Sequence, residues 1–375
     1  MRLAIDLRSL MQLGEKISGV ENYVLNVVNA VASGQSIEPL FFYNSYNKVS
    51  LPGQLHDYPG IKHTRVPNKI FNVLLKLGML KFESLYGDFD ALWMPDLRPF
   101  SIKPKTKLIL SVHDLSPVMH PEFYSIRRRL WHNFLNYKKS FQRANLIFAL
   151  SEYTKFDLVK LFQLNPDKIK VIYGGVNHGI FNTNLDQRLK HKVREKYKLP
   201  KKYILAVSTI EPRKNLSGLV EAFENIEDPE LHLVIGGRLG WLYAELLEKV
   251  NNSAKKDRIK LLGYVDEADK PYLLGQAEML CYPSFYEGFG FQPLEAMACG
   301  VPVITSARTS IPEVSGNAAL LIEPNHLEEL TAAIESLLLD PELRNNLILK
   351  GLEYSKTFTW DRTTQQMIKA LKELR

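Results

Sequence analysis

Short, strongly apolar runs separated by longer helical stretches recur along the whole chain, and this alternation constrains the fold more than any other feature of the sequence. In the first half the runs are Leu3–Leu7, Leu40–Tyr43, Ala91–Met94, Leu108–Val112, Leu146–Leu150 and Ile169–Ile172. They are too apolar for half-exposed hairpin strands, and helical segments lie between several of them, as in parallel sheets covered on both faces. The reading is a doubly wound α/β lobe. After Gly174-Gly175-Val176 a polar stretch, Asn182–Lys198, rich in Arg and Lys, reads as an inter-domain linker. The pattern then restarts with Ile204–Val207, His232–Ile235, Ile259–Leu262, Met279–Tyr282, Pro302–Thr305 and Ala319–Ile322. A chain of 375 residues exceeds what one core usually organises, so two lobes in tandem are expected, over residues 1–180 and 181–357. A closing amphipathic helix at about 358–375, with Asp361 as its cap, follows the completed second sheet and is expected to cross back onto the first lobe.

Composition narrows the class. Hydrophobic residues at 45% and charged residues at 24% are the balance of a folded globular enzyme. Met1–Asp6 reads directly as a strand, without the regions of a secretory signal, and Cys281 and Cys299 form neither a disulfide framework nor a metal cluster. Both features point to the cytoplasm. No window approaches eighteen uninterrupted apolar residues, so no membrane-spanning helix is expected. Charge is uneven: residues 1–180 carry 23 basic against 14 acidic side chains, whereas the remainder is nearly balanced. A basic first half suggests an anionic partner for it.

Ligands of open parallel sheets bind beyond the carboxyl ends of the strands, so the loops there carry the chemistry. The strongest is Pro283-Ser284-Phe285-Tyr286-Glu287-Gly288-Phe289-Gly290-Phe291-Gln292-Pro293-Leu294-Glu295-Ala296-Met297-Ala298-Cys299-Gly300. It reads as a strand end, a glycine loop and a helix over Leu294–Cys299 whose amino end attracts phosphate. Gly288 and Gly290 let the backbone approach a ligand closely, and leave amide donors on either side of Phe289. Glu287 and Glu295 are placed to reach opposite ends of one polyhydroxylated ligand. A second loop, Ser208-Thr209-Ile210-Glu211-Pro212-Arg213-Lys214-Asn215, follows the first strand of the second lobe. There Arg213 can hold an anion bidentately and Lys214 adds a mobile point charge, a pair suited to a diphosphate leaving group. His113, with Asp114, ends a strand of the first lobe.

The Glu287–Glu295 stretch resembles the E-x7-E signature of the retaining glycosyltransferases of family 4, which adopt the GT-B fold: two Rossmann-like lobes with an inter-lobe cleft. The resemblance implies that Glu287 contacts donor-sugar hydroxyls, that Glu295 binds the nucleotide ribose, and that Phe289, Gly290 and Leu294 offer backbone amides. Ser208, Arg213 and Lys214 would meet the diphosphate, and His113 the donor sugar. Gly19, beside Ser18 where similar enzymes commonly carry two glycines, would approach the donor phosphates or the acceptor. Gly263-Tyr264-Val265 would seat the nucleobase. The implied reaction needs no metal and no further cofactor: a nucleotide-sugar donor gives its sugar to a glycan or lipid-linked oligosaccharide with retained anomeric configuration. His113-Asp114-Leu115-Ser116 and Glu211–Asn215 look like the mannosyltransferases that extend bacterial surface polysaccharides. GDP-mannose is therefore the leading donor, with UDP-sugars and dTDP-rhamnose open.

Other readings weigh less. No G-x-x-x-x-G-K-[ST] loop accompanies the acidic run Asp266–Asp269, and no G-x-G-x-x-G follows the first strand, so neither triphosphate hydrolysis nor a dehydrogenase is supported. Asp88-Phe89-Asp90 reads as a strand-entry turn rather than a metal pair. A two-lobed epimerase and a catalytically idle nucleotide-sugar-binding subunit are the rival functions. Arg127–Arg143 combines six basic residues with Leu130, Trp131, Phe134 and Phe141 and no acid, a composition suited to a helix on anionic lipid, to which Lys69–Phe82 would add. A core-facing helix with a solvated basic side fits the same residues. No nucleic-acid reader motif accompanies them.

Overall fold

The computed structural model describes residues 1–12, 19–33, 37–47, 49, 51, 53–56 and 58–374. The chain forms two compact units. The first is Met1–Leu115, Arg129–Gly174 and Trp360–Arg375; the second is Ser116–Arg128 and Gly175–Thr359.

In the first unit the strands are β1 (Arg2–Asp6), β2 (Glu38–Asn44), β3 (Lys62–Thr64), β4 (Ala91–Met94), β5 (Lys107–Val112), β6 (Leu146–Ala149) and β7 (Ile169–Val171). They pair in parallel in the order β3-β2-β1-β4-β5-β6-β7. Apart from β3 these are the apolar runs of the first half. β3 escapes a hydrophobic-pattern reading because Lys62-His63-Thr64 is a short, polar edge strand. The helix Trp360–Glu373 belongs to this unit: Met367 and Leu371 are fully buried, and Thr363 Oγ1 donates to the Tyr173 carbonyl at 2.7 Å. Asp361 is not its cap. It lies inside the first turn, where a carboxylate favours the positive helix end.

The second unit repeats the winding with β8 (Lys202–Val207), β9 (Leu231–Gly236), β10 (Ile259–Gly263), β11 (Met279–Tyr282), β12 (Val303–Ser306) and β13 (Leu320–Ile322), all parallel, in the order β10-β9-β8-β11-β12-β13. In both sheets the first strand lies beside the fourth. Connections therefore run in opposite directions from that pair, and a crevice opens beyond its carboxyl ends. In the second unit the pair is β8 and β11, and the loops that follow it are the Arg213 and Glu287 loops. One glycine is required nearby: a Cβ on Gly237 (φ +145°) would sit 1.7 Å from the Ser208 carbonyl oxygen, so Gly236-Gly237 lets two strand ends close on each other.

The polar stretch Asn182–Lys198 is not an open linker. Gln187–Tyr197 is a helix of the second unit, with Asp186 capping it by accepting from Arg188 N at 2.7 Å and Leu189 N at 3.2 Å. Its apolar contribution to the interior is small, Val193 being the buried residue, so periodicity gave no signal. Ser116–Arg128 joins the second unit although it lies between β5 and β6 of the first. Within that unit Tyr124 stacks on Trp241 at 5.4 Å, Arg128 lies 3.8 Å above the Trp241 ring, and Trp241 Nε1 donates to the Phe123 carbonyl at 2.6 Å.

Candidate active site

Arg213 and Lys214 sit in a short 3-10 turn after β8, and Glu287 in the loop after β11; the switch in strand order brings them together. Glu287 is 6% exposed and Lys214 7% exposed, which rules out solvated surface charges. Glu287 Oε1 accepts from Lys214 Nζ at 2.5 Å and from the Tyr282 hydroxyl at 2.7 Å, and its Oε2 accepts from Arg213 Nη1 at 2.8 Å. Arg213 uses its other edge on Glu211, with Nε at 3.1 Å and Nη2 at 2.8 Å from Oε1. Lys214 Nζ also donates to the Tyr282 hydroxyl at 2.9 Å, so it is a fixed cation rather than the mobile one expected.

Two cations and two carboxylates make this cluster formally neutral. Burial by itself pushes the Glu287 carboxyl up, but Arg213 and Lys214 outweigh it and hold the group at about 2. Lys214 moves down, from burial first and from the neighbouring Arg213 second. Burial and the Glu287 charge raise the Tyr282 phenol well above its ordinary value, so it stays a hydrogen-bond donor. Backbone contacts fix the loop: Phe285 N donates to the Arg213 carbonyl at 2.9 Å, and Ser310 Oγ donates to the carbonyls of Glu287 and Phe289 at 2.9 and 3.1 Å.

The helix after the loop begins earlier than expected, spanning Phe291–Ala298 with Gly290 (φ 102°) before its first residue. Glu295 therefore stands on the second turn. It is 3% exposed and accepts from Lys270 Nζ at 3.2 Å, while the same amine donates to Glu267 at 2.9 Å. One cation serves two carboxylates here. Burial raises the Glu295 carboxyl and Lys270 offsets only part of that; Lys270 itself is held charged, above its ordinary range, by the two glutamates against the pull of burial. Leu294 and Phe289 are buried, Phe289 packing on Phe291 at 4.8 Å, and Gly288 lies in the buried loop between them and Glu287.

Ser208 is buried where β8 ends, and among the described residues no hydrogen-bond partner reaches its Oγ. Tyr264 and Val265 follow β10, with Val265 buried against Gly236. In the first unit His113 follows β5; its Nε2 lies 2.7 Å from the Pro95 carbonyl, which fixes that nitrogen as the donor, and its ring meets Tyr23 edge-on at 5.0 Å. Gly19 begins the exposed end of the helix Gly19–Ser33, and Ser18 lies outside the described residues. Tyr282 and Lys270 are the site residues that sequence reasoning missed, and Glu211 was recognised as part of the Arg213 loop but given no role of its own. Tyr282 closes β11 and Glu211 adjoins Arg213, so position alone pointed at both; Lys270 comes from a helix 25 residues before Glu295 with no local signal. Among the described residues no group of three or more His, Cys, Asp or Glu side chains is arranged to hold a metal.

Known proteins resemble this chain in sequence and in fold. The sequence profile "Glycosyltransferase Family 4" matches residues 17–179 and "Glycosyl transferases group 1" matches residues 187–353. The O-antigen chain mannosyltransferase B of Escherichia coli is 34% identical over 96% of this chain and 97% of that protein. Sucrose-phosphate synthase from Thermosynechococcus elongatus superposes with a TM-score of 0.79 at 21% identity, covering 100% of this chain and 99% of that one. Anabaena Alr3699/HepE in complex with UDP-glucose superposes with a TM-score of 0.74 at 18% identity, covering 100% of both chains. The chain belongs to glycosyltransferase family 4 and carries the GT-B fold.

Proposed function

We propose that this glycosyltransferase transfers mannose from GDP-mannose, with retention of anomeric configuration, to a growing, lipid-linked surface polysaccharide. The carrying observation is the buried Arg213–Lys214–Glu287 cluster beyond β8 and β11, in a chain one-third identical to a mannosyltransferase of O-antigen chains. Two adjacent cations meet the negative charge that develops on a departing nucleoside diphosphate, without a metal. A diphosphate that engages Arg213 and Lys214 competes with Glu287 for them, which frees its oxygens to accept from sugar hydroxyls. His113, its Nε2 committed to Pro95, would turn its other nitrogen to the sugar. Glu295, with its single shared cation, retains acceptor capacity for ribose hydroxyls. The leaving phosphate would take the acceptor proton, and the acceptor hydroxyl would attack on the face the diphosphate leaves.

The same reading puts the enzyme on the cytoplasmic face of a membrane, attached peripherally. Among the described residues no helix is long and apolar enough to cross one. The basic segment is two helices, Ile126–Leu135 and Tyr137–Arg143, separated by Asn136 in the left-handed region (φ 53°), rather than one. Arg143 is committed to the Pro104 and Thr106 carbonyls, and Arg128 to Trp241, so neither is available to lipid. The docking face is instead Leu130, Trp131, Lys138 and Lys139 with the helix Asn68–Lys76, whose Lys76 lies over the Phe134 ring at 5.3 Å and whose flank exposes Ile70, Val73, Leu77 and Met79. Apolar side chains ringed by lysines suit an anionic interface.

The test is transfer from GDP-mannose, UDP-glucose and dTDP-rhamnose to a lipid-linked mannose acceptor, with the anomeric proton of the product followed by NMR. A new α-mannosyl linkage from the α-linked donor supports the reading. Transfer only from another nucleotide sugar replaces the donor; an inverted product removes the mechanism; an epimerised donor sinks the reading.

A further inference from the structure

A cavity of about 370 Å³ opens in the second unit, beside the Arg213 turn, and every residue in its wall belongs to that unit. Its size is that of a small-molecule cleft. The wall carries three carboxylates, Glu211, Glu221 and Glu245, and no Lys or Arg. Glu211 and Glu221 are paired with Arg213 and Lys249 behind the wall, so the wall offers acceptors and no Lys or Arg of its own to a phosphate. Phe123, Phe285 and Tyr243 supply flat apolar surface; the first two stack at 5.7 Å with 12° between their planes, and Phe123 is pinned through its carbonyl by Trp241 Nε1 at 2.6 Å. Ser217 and Asn325 add neutral polar groups.

Glu211 is the informative residue. It is 5% exposed, its Oε1 is taken by Arg213, and its Oε2 is buried with no hydrogen-bond partner among the described residues. A buried carboxylate oxygen without a donor is costly, and a donor from outside the protein removes the cost. Clustered hydroxyl donors on one side and an apolar C–H face on the other are the chemistry of a neutral sugar.

We propose that this cavity is a second saccharide-binding site, adjoining the Glu287 cluster through Glu211, which holds a neutral hexose or short neutral oligosaccharide by its hydroxyls on Glu211, Glu245 and Asn325 and by its C–H face on Phe123 and Tyr243. Because Arg213 bridges Glu211 and Glu287, a sugar held on Glu211 lies one ion pair away from Glu287. The site does not depend on which sugar the enzyme transfers.

The test uses the full chain and saturation-transfer NMR with methyl α-mannoside and an α-linked mannobiose, with and without a saturating nucleotide sugar. Expected is saccharide binding that persists under the nucleotide sugar and weakens about tenfold in Glu245→Gln and in Tyr243→Ala, roughly the worth of one hydrogen bond to a charged group or one aromatic contact. Glu245 is exposed, Tyr243 is half-buried, and neither belongs to the Glu287 cluster, so nucleotide-sugar affinity is expected to stay unchanged. Absence of saccharide binding, its displacement by the nucleotide sugar, indifference to both substitutions, or preferential binding of putrescine would each overturn the site. Failure of the protein to bind any nucleotide sugar while the saccharide signal responds to Glu245→Gln would defeat the proposed donor chemistry and leave this site standing.

Discussion

Glu287 and Glu295 are separated by eight positions and are both buried, yet their surroundings oppose each other. Glu287 has Arg213, Lys214 and the Tyr282 hydroxyl on its two oxygens, and is held at about 2. Glu295 shares the single Lys270 amine with Glu267 and is raised. Spacing sets where two carboxylates lie; the number of cations within reach sets what each of them is. The first is a permanent anion that organises a cluster, the second an acceptor with capacity to spare.

Substitution of the two residues should separate them widely. Glu287→Gln removes the charge that balances buried Lys214 and Arg213, so a loss of about 3–5 kcal/mol in urea unfolding is expected, together with a fall of about 10²–10³ in transfer rate. An equal loss in Glu295→Gln would erase the contrast. Acid titration sharpens it further through opposite signs. Glu287 has a folded-state value far below its ordinary 4.5, so its contribution, roughly 3 kcal/mol, is present above the ordinary value and drains away as pH falls towards about 2. Glu295 has a raised folded-state value, so its contribution is largest below the ordinary value and is lost as pH rises through the raised one. Midpoints of urea unfolding measured from pH 7 to pH 3 should therefore show Glu287→Gln lacking part of the acid-induced loss, and Glu295→Gln gaining on the parent chain as pH rises. In binding, Glu295→Gln should weaken nucleotide-sugar affinity about tenfold while leaving the rate at saturation unchanged, as expected for a residue that meets ribose and not the reacting sugar. The smallest effect belongs to Tyr282→Phe: about 1 kcal/mol by thermal unfolding, with the Glu287 limb of the acid titration moved towards higher pH.

Much of this was legible without coordinates. The apolar runs became strands because a parallel sheet buried on both faces demands continuous hydrophobic sequence, as in Leu92, Trp93 and Met94, all fully buried. The Arg213-Lys214 and Glu287 loops were recognisable because Gly, Pro and charge cluster where strands end. What stayed hidden rests on distant partners. Lys270 reaches Glu295 through tertiary packing alone, and the polar helix Gln187–Tyr197 buries too little to leave a periodic trace. The mobile character expected for Lys214 failed for a similar reason, since the Tyr282 hydroxyl that pins it comes from a strand 68 residues away. The first turn expected around Glu295 shifted because Gly290, not Pro293, marks the start of that helix.

The assignment of Ser116–Arg128 to the second unit makes the chain pass between units at four places, near residues 115, 128, 174 and 359. Exchange of the second unit between related enzymes by a single splice near residue 175 would thus hand the new half a Trp241 without its own Phe123, Tyr124 and Arg128. A working chimera has to carry two grafts, the segment 116–128 and the body 175–359, and leave the recipient's own return helix in place.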